Sequence, residues 1–374
     1  MTTEILFSPK TADVEQAQLG EVYWHFLVQN GVEHYIANVQ TQFAALKLGE
    51  TTLPITLNKT EYESCYVCSP YAAYIDYAKQ ELAKLGSPWL ERGLRFLLTK
   101  LGLLFKRCQI NKNLHVNNWC LSTNLYPALE KGQIVAITQV LLQQFPQHAL
   151  IFRSLNETCN KAWLDALLRA GYRLYPSRQI YLIDTQQTDF LKLPDLKKDL
   201  RLLKNSTYRL VEHHEITAND YPRIVELYNQ LYLEKYSRFN PHFTQAFIQL
   251  CHERQILYLQ GLRNEQGRLD GIAGYLILNS VLTAPLFGYD LTKPRELGLY
   301  RLLTLRQLLY AKERSLWVHL SSGVGRFKRL RGGKAHVEYS AVYHRHLPWT
   351  RRLPWAIIQG LTRLLLPWLK KYEL

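Results

Sequence analysis

The 374-residue sequence contains no uninterrupted stretch of 18 apolar residues, whereas a transmembrane helix needs about 20. Its start, Met1 to Phe7, lacks the basic and long apolar regions of a secretory signal. The six cysteines form no disulfide framework, and Cys65 and Cys68 have no second cysteine or histidine pair that would complete a zinc site. These absences predict a cytoplasmic protein with buried free thiols and no metal.

Positive charge is unevenly distributed along the chain. The formal net charge is +15, and residues 290–374 carry 17 Lys or Arg against 5 Asp or Glu. Such a field favours an anionic partner. Charge alone does not choose among a phosphorylated donor, an acidic carrier protein, a membrane surface and nucleic acid. The apolar content of 47% predicts a globular chain long enough for two domains.

Residues 271–346 show the most informative order of elements. Two short β-rich segments are followed by a breaker-rich loop at 293–298, a helix over 299–314 and a strand over 315–320. A basic, glycine-rich turn and a further extended segment complete the pattern. A loop that opens a helix after a strand is a natural anion site, because the first helical N–H groups lack intrahelical partners.

The start of this helix is therefore the candidate site for the phosphates of a donor. Its predicted cofactor-binding residues are Arg295, Leu297, Gly298, Leu299, Tyr300 and Arg301. The loop lacks the G-x-G-x-x-G and G-x-x-x-x-G-K-[ST] patterns that identify a phosphate site, so an ordinary loop beneath a core helix is the alternative.

The same order, followed by Phe327-Lys328 and Gly332-Gly333, resembles the core of the GNAT acyltransferases. In particular it is similar to the Fem-like branch, whose members carry two GNAT-like domains and a Phe-Lys near the end of the second. Residues 255–346, about a quarter of the chain, carry the resemblance, and the loop from Arg295 to Tyr300 departs from the usual Arg/Gln-x-x-Gly-x-Gly/Ala pattern. The resemblance implies a thioester donor, either acyl-CoA or an acyl carrier protein, and an amine acceptor.

The fold that the resemblance implies is α/β (α+β), with tandem GNAT-like domains whose mixed sheets are flanked by helices. The expected divisions are a degenerate GNAT-like domain at 1–185, a linker at 186–206, a catalytic GNAT-like domain at 207–346 and a basic amphipathic helix at 347–374. In the first half, the segment 21–28 is predicted to be a strand. The first half also contains polar residues that are candidates for contacting a ligand: Asn117, Asn118, Ser122, Asn124, Arg153 and Arg178. Each is more typical of a helix cap or a partner of backbone groups than of a ligand contact.

Three residues are the catalytic candidates. The resemblance places Lys328 at the reacting end, where its charge would stabilise an oxyanion; the alternative is one solvated cation among several. Asp290, at a strand end beside the loop, is the candidate for the amine proton, although such a residue is more often a turn former. His319, on the neighbouring strand, is the second candidate base.

The predicted reaction is direct attack of an amine on an acyl thioester. No G-x-S-x-G pattern or partnered cysteine suggests a covalent nucleophile. A Fem-like transfer from aminoacyl-tRNA to a cell-wall precursor is the alternative and the one case that would involve nucleic acid. A non-catalytic adaptor on a GNAT scaffold is the third hypothesis.

Two segments have helical patterns that suit a membrane surface. The segment 349–374 carries Trp349, Trp355 and Trp368 beside cations, which suits the inner face of an anionic membrane as well as a helix that caps the core. The segment after Pro88 has apolar residues from Leu94 to Phe105. It is predicted to be a core-facing helix with a solvated basic face, and membrane contact is the alternative.

Overall fold

The computed structural model describes residues 3–8, 18–82, 86–130, 132–187 and 190–372. One mixed sheet of twelve strands runs through this part of the chain, and helices cover both faces. The strands are β1 Thr3–Leu6, β2 Gln42–Leu48, β3 Thr51–Asn58, β4 Asn113–Val116, β5 Ala149–Leu155, β6 Arg173–Asp184, β7 Arg209–Val211, β8 Tyr258–Arg263, β9 Leu269–Leu278, β10 Val281–Tyr289, β11 Trp317–His319 and β12 Lys334–Tyr343.

Helices connect many of these strands. They are α1 Leu19–Asn30, α2 Val32–Tyr35, α3 Tyr77–Glu81, α4 Pro88–Arg107, α5 Gln133–Gln144, α6 Lys161–Arg169, α7 Pro194–Lys204, α8 Tyr221–Asn229, α9 Gln245–Glu253, α10 Leu299–Glu313, α11 Gly325–Arg329 and α12 Trp349–Tyr372. π-Helical turns cover Ala72–Asp76 and Gln230–Tyr236. The predicted mixed α/β fold is confirmed.

The order of strands across the sheet is symmetrical. It reads β1-β2-β3-β4-β5-β12-β6-β11-β10-β9-β8-β7. β4 pairs with β5 in parallel, and β10 pairs with β11 in parallel, whereas the other neighbours are antiparallel. The chain thus repeats one order of elements: a strand, two helices, three antiparallel strands, a helix, a parallel strand, a helix and a last strand. The first unit differs in that α3 and α4 are inserted between β3 and β4.

The two units exchange their last strands. β12, from the second unit, lies between β5 and β6 of the first, and β6 lies between β12 and β11. Arg178 on β6 faces Glu338 on β12 across this central pair. The predicted boundaries at 185, 206 and 346 stay a prediction; residues 188–189 of the predicted linker lie outside the described residues.

The segment 21–28 forms part of helix α1, so the predicted strand was wrong. Its aromatic and β-branched residues favour a strand locally. In the folded chain, however, Tyr23, Trp24 and Leu27 bury one helical face against the core. Tertiary packing therefore overrides the local preference, as it often does for short segments.

Helix α7, within the predicted linker, packs against α10. Leu196 of α7 is fully buried with Leu299 and Leu302 of α10 in one apolar cluster. Pro194 begins the helix at a position where its missing N–H costs nothing. The linker is thus a structural element that covers the start of α10, where the candidate donor site lies.

Candidate functional site

The strands β10 and β11 separate soon after they meet. They pair only from Val281 to Thr283, opposite Trp317 to His319, although β10 continues to Tyr289. A β-bulge between Thr283 and Leu286 accompanies the divergence. Beyond Thr283 the sheet therefore has a gap in its hydrogen-bonded pairing between β10 and β11, at the end of β10 where the chain enters α10.

Aromatic side chains line this gap. The ring centroid of Tyr300, in the first turn of α10, lies 4.8 Å from that of Phe327, 5.5 Å from that of Phe287 and 5.9 Å from that of Tyr289. Burial and then the neighbouring tyrosines raise the pKa of Tyr300. These rings form an apolar cluster at the start of α10.

Lys328 lies in α11, which occupies the position of the predicted basic turn. Its side chain is 4% exposed, and its Nζ donates to the backbone oxygens of Ser322 at 2.7 Å and Ser321 at 3.2 Å. The same nitrogen lies 5.6 Å from the centroid of the Tyr181 ring. Burial, followed by the nearby Arg178 guanidinium, lowers the pKa of Lys328 to about 7. Such an amine can gain and lose a proton at neutral pH.

His319 is fixed by the same stretch of backbone. The Ser321 N–H donates to its Nδ1 at 3.1 Å, so the neutral ring carries its proton on Nε2. That Nε2 has no hydrogen-bond partner and lies 3.6 Å from Oε1 of Glu338. Burial lowers the pKa of His319 despite the opposing effect of Glu338. In this tautomer the imidazole offers a proton.

A buried ion pair lies beside His319. Arg178 Nε donates to Glu338 Oε2 at 2.7 Å, and Arg178 Nη2 donates to Glu338 Oε1 at 3.1 Å. Arg178 Nη2 also donates to the Ser122 oxygen and to Thr123. Burial would raise the pKa of Glu338, but Arg178 and His319 hold it at about 2. The pair therefore stays charged and links β6 of the first unit to β12 of the second.

The start of α10 has less free space than the sequence predicts. Gly298 caps the helix with φ 63° and ψ 33°, a left-handed conformation that suits glycine. A Cβ at Gly298 would lie 2.5 Å from Cδ2 of Leu202 on α7. The close approach at Gly298 is thus made by the linker helix.

Asp199 of α7 neutralises two cations at this point. Its buried carboxylate accepts from Arg301 Nε at 2.6 Å, and from Arg331 Nε at 2.6 Å and Nη2 at 3.1 Å. The Arg331 guanidinium also lies 3.5 Å from the centroid of the Phe327 ring. Leu299 is buried, whereas Leu297 and Arg295 are exposed at the surface. The phosphate role of these residues stays a prediction.

Asp290 lies far from His319, the other candidate base. His319 pairs with Thr283, and Asp290 follows the end of β10, about 20 Å further along the strand. Its oxygens accept from Arg223 Nη2 at 2.6 Å and from the Thr292 N–H at 2.9 Å. Burial would raise the pKa of Asp290, but these bonds lower it. The structure brings Lys328 and His319 together and leaves Asp290 in a separate ion-pair network.

Sequence reasoning missed Asp199, Glu338 and Ser321 as parts of this site. Glu338 is the one carboxylate in the extended segment that forms β12, a signal that could have prompted a search for a paired cation. Asp199 gives no such signal, because its helix is polar overall. No cluster of three or more His, Cys, Asp or Glu that could hold a metal occurs within the part of the chain that the structure describes.

Comparison with known proteins gives only structural likenesses. No family model and no curated protein matches the sequence. FemX is 9% identical, with 85% of this chain and 87% of that chain covered and a TM-score of 0.46. A tandem GNAT protein from the clavulanic acid biosynthesis pathway is 12% identical, with 91% and 98% covered and a TM-score of 0.40. L-PGS from Bacillus licheniformis is 14% identical, with 62% and 77% covered and a TM-score of 0.43.

These likenesses concern the fold and carry no information about the donor or the acceptor. The element order within the chain itself is the firmer observation, because one GNAT-like succession of strands and helices occurs twice along one sheet. The chain therefore contains two units with the GNAT-like order of elements that its sequence predicts.

Proposed function

We propose that this protein is an N-acyltransferase that moves an acyl group from a thioester to an amine by direct attack. The observation that carries the proposal is the buried Lys328, whose pKa is about 7 and whose Nζ is held by two backbone oxygens beside the gap between β10 and β11. A group whose pKa lies near the working pH is the most effective proton carrier. The aromatic lining of the gap suits the acyl group of the donor.

Lys328 can serve both halves of such a reaction. The acceptor nitrogen forms a bond to the thioester carbonyl carbon, and the neutral amine of Lys328 takes the proton that this nitrogen loses. The resulting ammonium stabilises the oxyanion. When the C–S bond breaks, the ammonium returns the proton to the leaving sulfur. Lys328 thus ends the cycle neutral, a broader role than the charge stabilisation predicted from sequence.

His319 and Asp290 have different parts in this proposal. Because the neutral His319 carries its proton on Nε2, we assign it to positioning the Ser321 backbone beside Lys328. Asp290 is assigned to the ion-pair network with Arg223. Asp290→Asn is then expected to retain turnover, whereas His319→Ala lowers kcat with little effect on donor affinity. Loss of turnover in Asp290→Asn alone would reverse these assignments.

One observation favours a Fem-like transfer from aminoacyl-tRNA as a second candidate. Asp199 and Leu202 of α7 occupy the start of α10, where the phosphates of coenzyme A are predicted to bind. An aminoacyl ester would need no phosphate at this point, and the basic surface would hold the RNA. The same attack would then break a C–O bond in place of a C–S bond.

The first experiment is mass spectrometry and nucleic-acid analysis of the ligands that co-purify with the full-length protein. Coenzyme A or an acylated carrier protein supports the thioester donor, and tRNA supports the second candidate. Turnover is then measured with the matching donor for the wild type, Lys328→Ala and Arg326→Ala. Arg326 is an exposed cation of the same short helix and serves as the control.

We expect Lys328→Ala to lower kcat by about a hundredfold or more, and Arg326→Ala to change it little. If the two variants weaken donor affinity equally and leave kcat unchanged, Lys328 is only one cation of a charged patch. Absence of any bound ligand and of any turnover would favour the non-catalytic adaptor.

A further inference from the structure

Helix α4 presents a row of large apolar side chains to solvent. Trp89 is 82% exposed, Phe96 is 66% exposed and Leu103 is 51% exposed. These residues are seven apart, about two helical turns, so they lie on one line along the helix. This line is called the outward stripe below. Its members cannot be explained as core residues, because the side of α4 that contains Gly102 and Phe105 faces the protein.

The prediction of a core-facing helix with a solvated basic face therefore describes only half of α4. Phe105 is fully buried and packs in one cluster with Tyr71, Ile75 and Trp355. Leu97, predicted for the core side, is 61% exposed. The helix is thus anchored by one face while the opposite face exposes apolar surface, which usually marks an interaction site.

Each member of the outward stripe is followed by a cation three or four residues later. Arg92 follows Trp89, Lys100 follows Phe96 and Arg107 follows Leu103. The Arg92 guanidinium lies 5.7 Å from the centroid of the Trp89 ring, and Lys100 Nζ lies 5.3 Å from that of Phe96. Apolar group and cation thus alternate along the whole length of the helix.

Acidic side chains do not offset this charge. Glu91 is the one carboxylate among residues 88–107, and it is paired with Arg95 at 2.7 Å. The remaining cations of the outward face have no carboxylate partner among the ion pairs of the described residues. The helix therefore offers positive charge at successive levels along about 30 Å.

We propose that α4 lies flat on an anionic lipid bilayer, with the outward stripe inserted between the headgroups and the flanking cations on lipid phosphates. A bilayer supplies apolar depth and negative charge at every level of a long helix. A protein groove would have to match each cation with a separate carboxylate. Arginine and lysine stems can extend upward while the rings insert, which suits the spacing of cation and ring on α4.

The start of α12 lies beside the residues that follow α4. Trp349 is exposed there. Arg351, two residues later, donates to Gln109 Oε1 at 3.2 Å and to the Lys112 oxygen at 3.0 Å, just beyond the end of α4. Side chains after residue 364, including the predicted Trp368, lie outside the described residues. No helix in the described part of the chain is long and apolar enough to cross a membrane, so the proposed contact is with the surface of the bilayer.

The test is sedimentation of the full-length protein with vesicles of phosphatidylcholine, with or without phosphatidylglycerol. The main variant replaces the outward stripe: Trp89→Ser, Phe96→Ser and Leu103→Ser together. The matched control is Val135→Ser with Leu168→Ser, since both residues are exposed apolar side chains on other helices. A third variant, Arg92→Gln with Lys100→Gln, tests the charge.

We expect the wild type to bind the anionic vesicles, and binding to weaken at high salt. The stripe variant should lose affinity by about a hundredfold, since three large apolar side chains no longer leave water. The charge variant should lose affinity for anionic vesicles only, and the control should bind like the wild type. Circular dichroism and Tm verify folding of each variant.

Two results would overturn the proposal. One is that the folded wild type does not bind anionic vesicles at low salt. The other is a stripe variant that binds as tightly as the control. If the stripe instead binds a protein, the wild type does not bind anionic vesicles. It then either self-associates or carries a bound protein, and the stripe variant loses that association.

Discussion

His319 and Lys328 are held by opposite sides of one residue. The Ser321 N–H donates to His319 Nδ1, and the Ser321 oxygen accepts from Lys328 Nζ. Ser321 adopts a left-handed conformation with φ 57°, which is uncommon for a residue with a side chain. The position of the lysine amine is therefore coupled to the tautomer of the histidine.

The pH dependence of turnover tests the role of Lys328. If its neutral amine accepts the proton, kcat/KM should rise with pH through about 7, the pKa of this group. Lys328→Arg keeps the charge but cannot give up a proton at neutral pH, so it should be as inactive as Lys328→Ala. An active Lys328→Arg enzyme would show that only the charge is needed.

Stability should report the same lowered pKa. An unfolded lysine titrates near pH 10.4, whereas Lys328 in the folded protein titrates at about 7. Below pH 7 the buried ammonium lowers the free energy of unfolding by its full amount. This destabilisation becomes smaller as the pH rises from 7 and is gone above 10.4. Lys328→Met should therefore stabilise the protein by a few kcal/mol at pH 6, with a smaller gain at pH 9. Urea unfolding at both pH values measures the difference, and an equal gain at both would contradict the lowered pKa.

The packing of Gly298 against Leu202 can be separated from donor binding. Gly298→Ala should lower Tm more than Gly267→Ala, because both residues have a positive φ but only Gly298 has a neighbour within reach of a Cβ. Adding Leu202→Ala to Gly298→Ala should remove the additional loss of Tm, because the new Cβ then has no side chain to clash with. If the donor's phosphates bind here as predicted, the stable double variant should still bind coenzyme A more weakly than Leu202→Ala alone. Equal affinities would leave Gly298 a packing residue only.

Glu338→Gln should weaken the pairing between the units in a pH-dependent way. The pKa of Glu338 is about 2 in the folded protein and about 4.3 in an unfolded chain. Its ion pair with Arg178 therefore stabilises the fold above pH 4.3, and this contribution is lost as the pH falls towards 2. The substitution should cost about 3 kcal/mol at pH 7, because it leaves the largely buried Arg178 guanidinium without its carboxylate partner. Unfolding measured at pH 7 and pH 3 should give a smaller difference at the lower pH.

Local patterns predicted the second unit well. The helix predicted over 299–314 is α10. The two β-rich segments before it, 271–279 and 283–290, are β9 Leu269–Leu278 and β10 Val281–Tyr289, each within about two residues of its predicted bounds. Apolar periodicity and breakers are local signals, and here they agree with the tertiary structure. The same signals failed at 21–28, where aromatic residues typical of strands serve a helical face.

Contacts between distant parts of the chain could not be predicted in this way. Arg178 and Glu338 are 160 residues apart, and Asp199 and Arg331 are 132 residues apart. Their proximity depends on the strand exchange and on the docking of α7, neither of which leaves a periodic pattern. The lowered pKa of Lys328 follows from that burial and from Arg178, so a single sequence cannot reveal it.

The exchange of β6 and β12 has a consequence for synthesis of the protein on the ribosome. In the folded protein the place between β5 and β6 is filled by β12, which begins at residue 334 of 374. Until then the emerging first half has an unpaired strand edge, which is a template for aggregation. The final sheet closes through contacts of very high contact order, which are slow to form. The nascent chain should therefore depend on chaperones until its last strand has been made.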